Sequence, residues 1–421
     1  MGASLWLYRV LGRAVLPAAA GVLWVGDRLR GKSRPRWRDR LGRDLPAIEP
    51  GGLWIQAVSV GEVEAARRLV TELDQRLPGL PLVVTATTAT GLDLARRTLG
   101  RRCTVAPCPL DLGRPLDRML DAARPRVLVL VETELWPEML HRAARRGIPA
   151  AVVNARLSSD AFRRYRRVRR LLAPLLAPIT LVLARGAEDG ERFRALGVPA
   201  DRVRVAGNVK YDLEPDPEPL EWTERLERLA AGRPILVAGS TMEGEEATVM
   251  AAASALRERL FPVVAPRHPE RFDAVARRLA ERGIAVARRS RPDDGGPADL
   301  LLLDTIGELA RTYRHADIAF IGGSLVPTGG HNPLEPAVWG VPVLSGGYVD
   351  NFREIYDDLR AAGGCRLVGD GAALTAALDA WVDDPCARQT AGDAALRVIQ
   401  ANRGAVERIV DELLSLVSGN R

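Results

Sequence analysis

Short apolar runs alternate with helix-length amphipathic stretches along most of the chain, and this alternation limits the fold more than any other feature. In the first part, Leu53 to Val58, Leu82 to Ala86, Val127 to Val131, Ala150 to Val153, Leu181 to Ala184 and Val203 to Ala206 read as strands. Helices are expected between them, among them Glu62 to Leu77 and Ala161 to Leu172. Strands that are apolar on both faces and separated by helices predict a parallel sheet covered on both sides. The alternation stops at Asp212-Leu-Glu-Pro-Asp-Pro-Glu-Pro219, whose prolines and acids predict a stiff, solvated linker rather than a metal site. It restarts with strands at Ile235 to Ala238, Pro262 to Ala265, Leu300 to Leu303, Ile318 to Ile321 and Val341 to Leu344, and ends in a mostly helical stretch from Asp384 to Val417. The expected fold class is α/β, with two Rossmann-like doubly wound parallel-sheet domains at 41–211 and 221–421, a linker at 212–220 and a cleft. Ligands of such sheets bind beyond the carboxyl ends of the strands.

Residues 1–40 stand apart. Apolar stretches at Leu5 to Leu11 and Ala14 to Val25 are interrupted by Arg9 and Arg13 and run into a dense basic segment, Arg28 to Arg40. The uncharged run is shorter than the roughly 20 residues a spanning helix needs. The pattern predicts a membrane-associated segment whose cations meet an anionic surface, the other reading being an ordinary helix packed on the first domain. The net charge of +7 calls for an anionic partner. With aromatics at 5% and no basic run interleaved with stacking rings, sequence-specific nucleic-acid binding is not expected. Cys103, Cys108, Cys365 and Cys386 form no zinc-type spacing and no disulfide framework, which predicts a reducing, cytoplasmic environment and no metal site.

The chemistry-bearing residues fall at strand ends. Gly322-Gly-Ser-Leu-Val-Pro-Thr-Gly-Gly-His-Asn-Pro-Leu-Glu-Pro336 follows an apolar strand and leads into a short helix. Its glycines predict a backbone that turns N–H groups toward a ligand, with the helix start favouring negative charge. Asn332 and Glu335 add groups able to read a sugar or base. In the first part, Ser59-Val-Gly-Glu62 reads either as a capping box or as a turn presenting Glu62 as a general base. Glu132, in Glu132-Thr-Glu-Leu-Trp-Pro137, lies nearest its strand end; Asn154 to Arg156 ends the next strand. The arginines at 163, 164, 166, 167, 169 and 170 read as a solvated helix face or a surface for phosphates and lipid headgroups. Lys210, at the hinge, is suited to neutralising developing negative charge. In the second part, Gly239 to Glu246 is a turn whose acids suit a helix dipole, Arg267 offers a planar fork for phosphate, and Asp304 to Glu308 a turn for a ribose. Neither a Walker loop nor GxGxxG is present.

Taken in order and at their spacing, SVGE, ETELWP, NARLS, GNVKYD, STMEGEE, APRHPERF, DTIGEL and GGSLVPTGGHNPLEP resemble the motifs of the bacterial 3-deoxy-D-manno-octulosonic acid (Kdo) transferases, and the likeness spans nearly the whole chain. The resemblance implies a GT-B glycosyltransferase fold. It implies transfer of Kdo from the co-substrate CMP-Kdo to a lipid A precursor, lipid IVA, at the cytoplasmic face of the inner membrane, with no cofactor or metal. It places the catalytic base on Glu62 and transition-state stabilisers on Glu132 and Lys210. It places the CMP contacts on Pro266, Arg267, Ile306, Gly307, Glu308, Asn332, Pro333, Leu334 and Glu335. The chain departs from the family pattern at Met242, where relatives often carry His, and in GNVKYD, which keeps Lys210. Two other readings remain: a nucleotide-sugar epimerase on the same fold, and a non-enzymatic nucleotide-sugar binding module.

Overall fold

The computed structural model describes residues 4–10, 37–133, 135–291 and 296–419. Most of the expected membrane-associated segment, residues 1–40, lies outside that set, and among the described residues no helix is long and apolar enough to cross a membrane. The chain forms two compact units, Met1–Asp212 together with Arg403–Arg421, and Leu213–Asn402.

The first unit is built on a seven-stranded sheet in the order β3-β2-β1-β4-β5-β6-β7. Its strands are β1 Leu53–Ala57, β2 Leu82–Ala86, β3 Thr104–Pro107, β4 Val127–Val131, β5 Ala150–Ala155, β6 Ile179–Ala184 and β7 Val203–Val205, and all pair in parallel. The order reverses between β1 and β4, which puts the switch point at Val58 and Glu132. The Val-Leu-Val-Leu-Val run of β4 is buried throughout because both faces are covered. Val127, Val129 and Val131 pack with helix Val60–Arg76, while Leu128 and Leu130 pack with helix Pro137–Arg145 on the other side. The expected helix from Ala161 to Leu172 is two helices, Ser159–Arg167 and Arg169–Leu176. The second carries Pro174, which cannot donate to the Arg170 carbonyl and crowds it.

The last helix, Ala405–Gly419, departs from the expected domain assignment. It belongs to the first unit rather than to residues 221–421. Its apolar face, with Val406, Ile409, Val410, Leu413 and Val417, joins the same core as Val63, Leu69 and Val70. Asp212 caps its start, accepting from Gly404 N at 2.5 Å and Val406 N at 2.6 Å, and Arg408 Nε donates to the Ala206 carbonyl at 2.8 Å.

The second unit repeats the design with β10-β11-β9-β8-β12-β13-β14, again parallel. Its strands are β8 Ile235–Thr241, β9 Phe261–Pro266, β10 Val286–Arg288, β11 Leu300–Leu302, β12 Ile318–Ile321, β13 Val343–Ser345 and β14 Cys365–Leu367. Here the order reverses between β8 and β12, so the glycine-rich loop leaves the sheet at the switch point. The linker acids Asp216 and Glu218 pair with Arg311, at 3.6 and 3.3 Å. Strands β3, β10 and β14 are additional to the expected ones. All three are sheet edges, where one side faces less protein and residues such as Thr104, Arg288 and Arg366 remain partly or fully exposed.

Candidate active site

In the first unit the strand-end residues form one bonded set. Glu62 is the third residue of helix Val60–Arg76 and is buried. The capping box does not form: Ser59 makes no side-chain bond to the helix backbone. Its hydroxyl instead donates to Glu62 Oε1 at 3.1 Å, and the Val58 N–H donates to Oε2 at 2.6 Å. Both donors favour the ionised carboxylate, and burial opposes it. Glu132 leaves β4 with φ 65 and Asn154 lies at φ 50, a left-handed conformation that Asn tolerates and Glu adopts rarely.

Both side chains bond to Arg185, at the end of β6 and 5% exposed. Its Nη2 donates to Glu132 Oε1, and its Nε donates to Asn154 Oδ1 at 3.1 Å. Asn154 Oδ1 also accepts from Val209 N at 3.3 Å, at the start of the short turn that carries Lys210. Asn154 Nδ2 is buried with no partner among the described residues. Arg68, two turns along the Glu62 helix, donates to the carbonyls of Val209 and Lys210 at 2.7 and 3.3 Å. Glu62, Glu132 and Lys210, distant in sequence, are thus held on one framework. Arg185 follows the apolar run of β6 directly, and that position was its only signal in the sequence.

In the second unit the glycine-rich loop is arranged differently from the expectation. The N–H groups of Gly323, Ser324 and Leu325 do not face a ligand; they donate to the buried Glu245 carboxylate at 2.6, 2.9 and 2.8 Å. Asn351 Nδ2 holds the far side of the loop through the carbonyls of Thr328 and Gly330, both at 3.1 Å. The helix behind the loop is a single turn, Leu334–Ala337, too short for an appreciable dipole. Pro333 occupies its cap position, and Asn332 Oδ1 takes the Leu334 N–H at 3.1 Å.

Beside the loop the structure brings together Arg267, His331, Asn332 and Glu335. Arg267 follows Pro266 at the end of β9 and is exposed. Burial raises the Glu335 carboxyl above its ordinary range, against the hydrogen bond from Asn332 and the nearby Arg267 charge. Burial, with Arg267 and His268, lowers His331 to about 4, so its ring is neutral at neutral pH. Of residues 306–308, Glu308 is bonded elsewhere. Glu308 accepts from Trp222 Nε1 at 3.1 Å, Arg289 Nη2 at 2.9 Å and Thr305 Oγ1. That leaves the exposed backbone of Ile306 and Gly307 (φ 91) as the accessible part of the turn. Among the described residues there is no group of three or more His, Cys, Asp or Glu able to hold a metal ion.

Solved structures share this architecture. The glycotransferase of kitacinnamycin is 15% identical with a TM-score of 0.55, over 87% of this chain and 99% of that one. A UDP-GlcNAc 2-epimerase from Neisseria meningitidis bound to UDP-GlcNAc is 14% identical with a TM-score of 0.56, over 87% and 100%. At these identities only the two-domain GT-B fold is common, and a fold does not choose between transfer and epimerisation. Sequence likeness does choose. Residues 35–213 match the 3-deoxy-D-manno-octulosonic-acid transferase (kdotransferase) family. A 3-deoxy-D-manno-octulosonic acid transferase from Haemophilus influenzae is 36% identical over 400 residues, 92% of this chain and 93% of the relative. A likeness of that extent covers both sheets and both sets of strand-end residues, and the chain belongs to the 3-deoxy-D-manno-octulosonic acid transferase family, a glycosyltransferase on a GT-B fold.

Proposed function

We propose that this enzyme transfers Kdo from CMP-Kdo to a lipid A precursor, without a metal, with Glu62 as general base. The observation that carries this reading is the Glu62 carboxylate itself. It stands at the switch point of the first sheet, buried and oriented by the Val58 N–H and the Ser59 hydroxyl. In the proposed step a sugar hydroxyl of the acceptor attacks the anomeric carbon of Kdo and Glu62 takes the hydroxyl proton. The bond from that carbon to the CMP phosphate oxygen breaks, and CMP leaves with the electron pair. Glu132 and Lys210, tied together through Arg185 and Asn154, stabilise the charge that develops. In the second unit, Arg267, Asn332 and Glu335 meet CMP through side chains, with the buried Pro333 and Leu334 between them holding the turn, while Ile306 and Gly307 offer backbone groups.

The reading extends to a cytoplasmic, inner-membrane location. Residues 4–10 are helical, with Trp6, Leu7 and Val10 exposed. This helix is docked on the first unit by Tyr8 Oη donating to Asp111 at 2.6 Å and Arg9 donating to Glu138 at 2.7 and 3.1 Å. Val168 and Leu171 are exposed beside the arginines of 163–170. Apolar side chains flanked by cations suit an anionic membrane surface.

The test is incubation with CMP-Kdo and lipid IVA, with and without chelator, followed by mass measurement of the lipid. A gain of one or more Kdo units is expected in both arms; loss of transfer with chelator refutes metal independence. Glu62→Gln is expected to keep CMP binding and lose transfer. An active Glu62→Gln enzyme removes Glu62 as the base.

A further inference from the structure

The glycine-rich loop is shaped like an anion cradle and is already filled. Glu245 begins helix Glu245–Ser254 and is 1% exposed. A carboxylate so deeply buried is costly unless hydrogen bonds compensate it. Here each oxygen accepts two backbone N–H groups. Oε2 takes Met242 N at 2.8 Å and Gly323 N at 2.6 Å, and Oε1 takes Ser324 N at 2.9 Å and Leu325 N at 2.8 Å. Successive N–H groups converging on one point form the nest that elsewhere binds phosphate.

The residues that reach down to Glu245 also reach up to the site. The Gly323 carbonyl accepts from Gly330 N at 2.7 Å and from Thr328 Oγ1 at 2.8 Å, and the Gly322 carbonyl accepts from His331 N at 3.2 Å. The His331 ring lies 2.9 Å from where a Cβ on Gly323 would stand. His331 leads directly to Asn332 and Glu335.

We propose that Glu245 is a positioning residue for the donor. It is an internal anion that occupies the loop's cradle, fixes the path from Gly322 to His331 and so aims Asn332 to Glu335 at CMP, and the donor phosphate is met by other groups. This rests on the reading that the second unit binds the donor. Glu245→Gln separates hydrogen bonding from packing. The amide keeps the volume but turns one acceptor oxygen into an NH2 group facing two N–H donors.

The experiment measures CMP binding by calorimetry, with donor and acceptor KM and kcat, for the wild-type chain, Glu245→Gln and Glu245→Ala, the last with sodium acetate or with sodium chloride. Glu245→Gln is expected to weaken CMP binding and raise donor KM by about tenfold or more, with acceptor KM unchanged. Acetate, sized for the vacated carboxylate position, is expected to restore donor KM in Glu245→Ala where chloride does not. CMP binding by Glu245→Gln within about twofold of wild type, or rescue by chloride equal to that by acetate, overturns the proposal. Should both variants fail to fold, amide exchange of the wild-type chain decides. Slow exchange at Gly323 to Leu325 without ligand supports the proposal, and exchange at open-loop rates overturns it. A wild-type chain that does not bind CMP refutes the donor reading instead, and the exchange result still reports on Glu245.

Discussion

Ending the chain at Asn402 is expected to unfold the first unit although every strand of that unit lies more than a hundred residues upstream. The truncation removes helix Ala405–Gly419 and with it the buried side chains of Val406, Ile409, Val410, Leu413 and Val417. At about 1.5–3 kcal/mol for each such side chain, their burial contributes roughly 8–15 kcal/mol. The capping bonds from Gly404 and Val406 to Asp212 contribute about 1 kcal/mol more. A domain of this kind holds a net stability of about 5–15 kcal/mol in total, so the loss matches the whole. Hydrogen exchange read by mass spectrometry localises the effect: amides of β1 and β4 are expected to lose protection while those of β8 and β12 keep it. Retained protection in β1 and β4 refutes the reasoning. Ile409→Ala is the milder form of the same test. It is expected to cost about 2–5 kcal/mol, seen as a lower urea midpoint for the first unit.

Arg185→Met removes the donors to Glu132 and Asn154 and is expected to cost about 2–4 kcal/mol. In steady-state kinetics it is expected to lower kcat more than it changes donor KM. Gly61→Ala meets nothing within 4 Å and lies in the first turn of a helix, so it is expected to raise stability by up to about 1 kcal/mol. A fall in transfer in that more stable variant, measured beside its thermal melt, would mark the space over Gly61 as substrate space. His331 titrates at about 4 when folded, against 6.5 as its ordinary value. As pH falls, the unfolded chain therefore takes the proton first. The His331 contribution to stability is full above 6.5 and is lost between 6.5 and about 4. His331→Gln is expected to flatten that part of the pH dependence in urea unfolding of the second unit.

The sequence alone determined the central strands, the parallel sheets and the strand ends where polar residues cluster. The physical reason is that a strand covered on both faces must be apolar at every position, as in Val127–Val131, and that a polar residue just after such a run sits at the sheet's carboxyl edge. The edge strands β3, β10 and β14 were not legible, because they are only three or four residues long and include polar or partly exposed positions such as Thr104, Arg288 and Arg366, although the fourth edge strand, β7, was read. Helix Ala405–Gly419 was legible as a helix but not as part of the first unit, since an apolar helix face does not say which core it joins. The same limit applied within the site. Gly322 to Pro336 announced a close-turning loop, and Ser59 to Glu62 a helix start, yet what their polar groups bond to depends on partners far away in the chain. Tertiary structure alone brought Glu245 under Gly323 to Leu325, and Arg185 between Glu132 and Asn154. Those contacts decided that the loop's N–H groups hold the protein's own carboxylate, and that Glu132 and Lys210 belong to one framework.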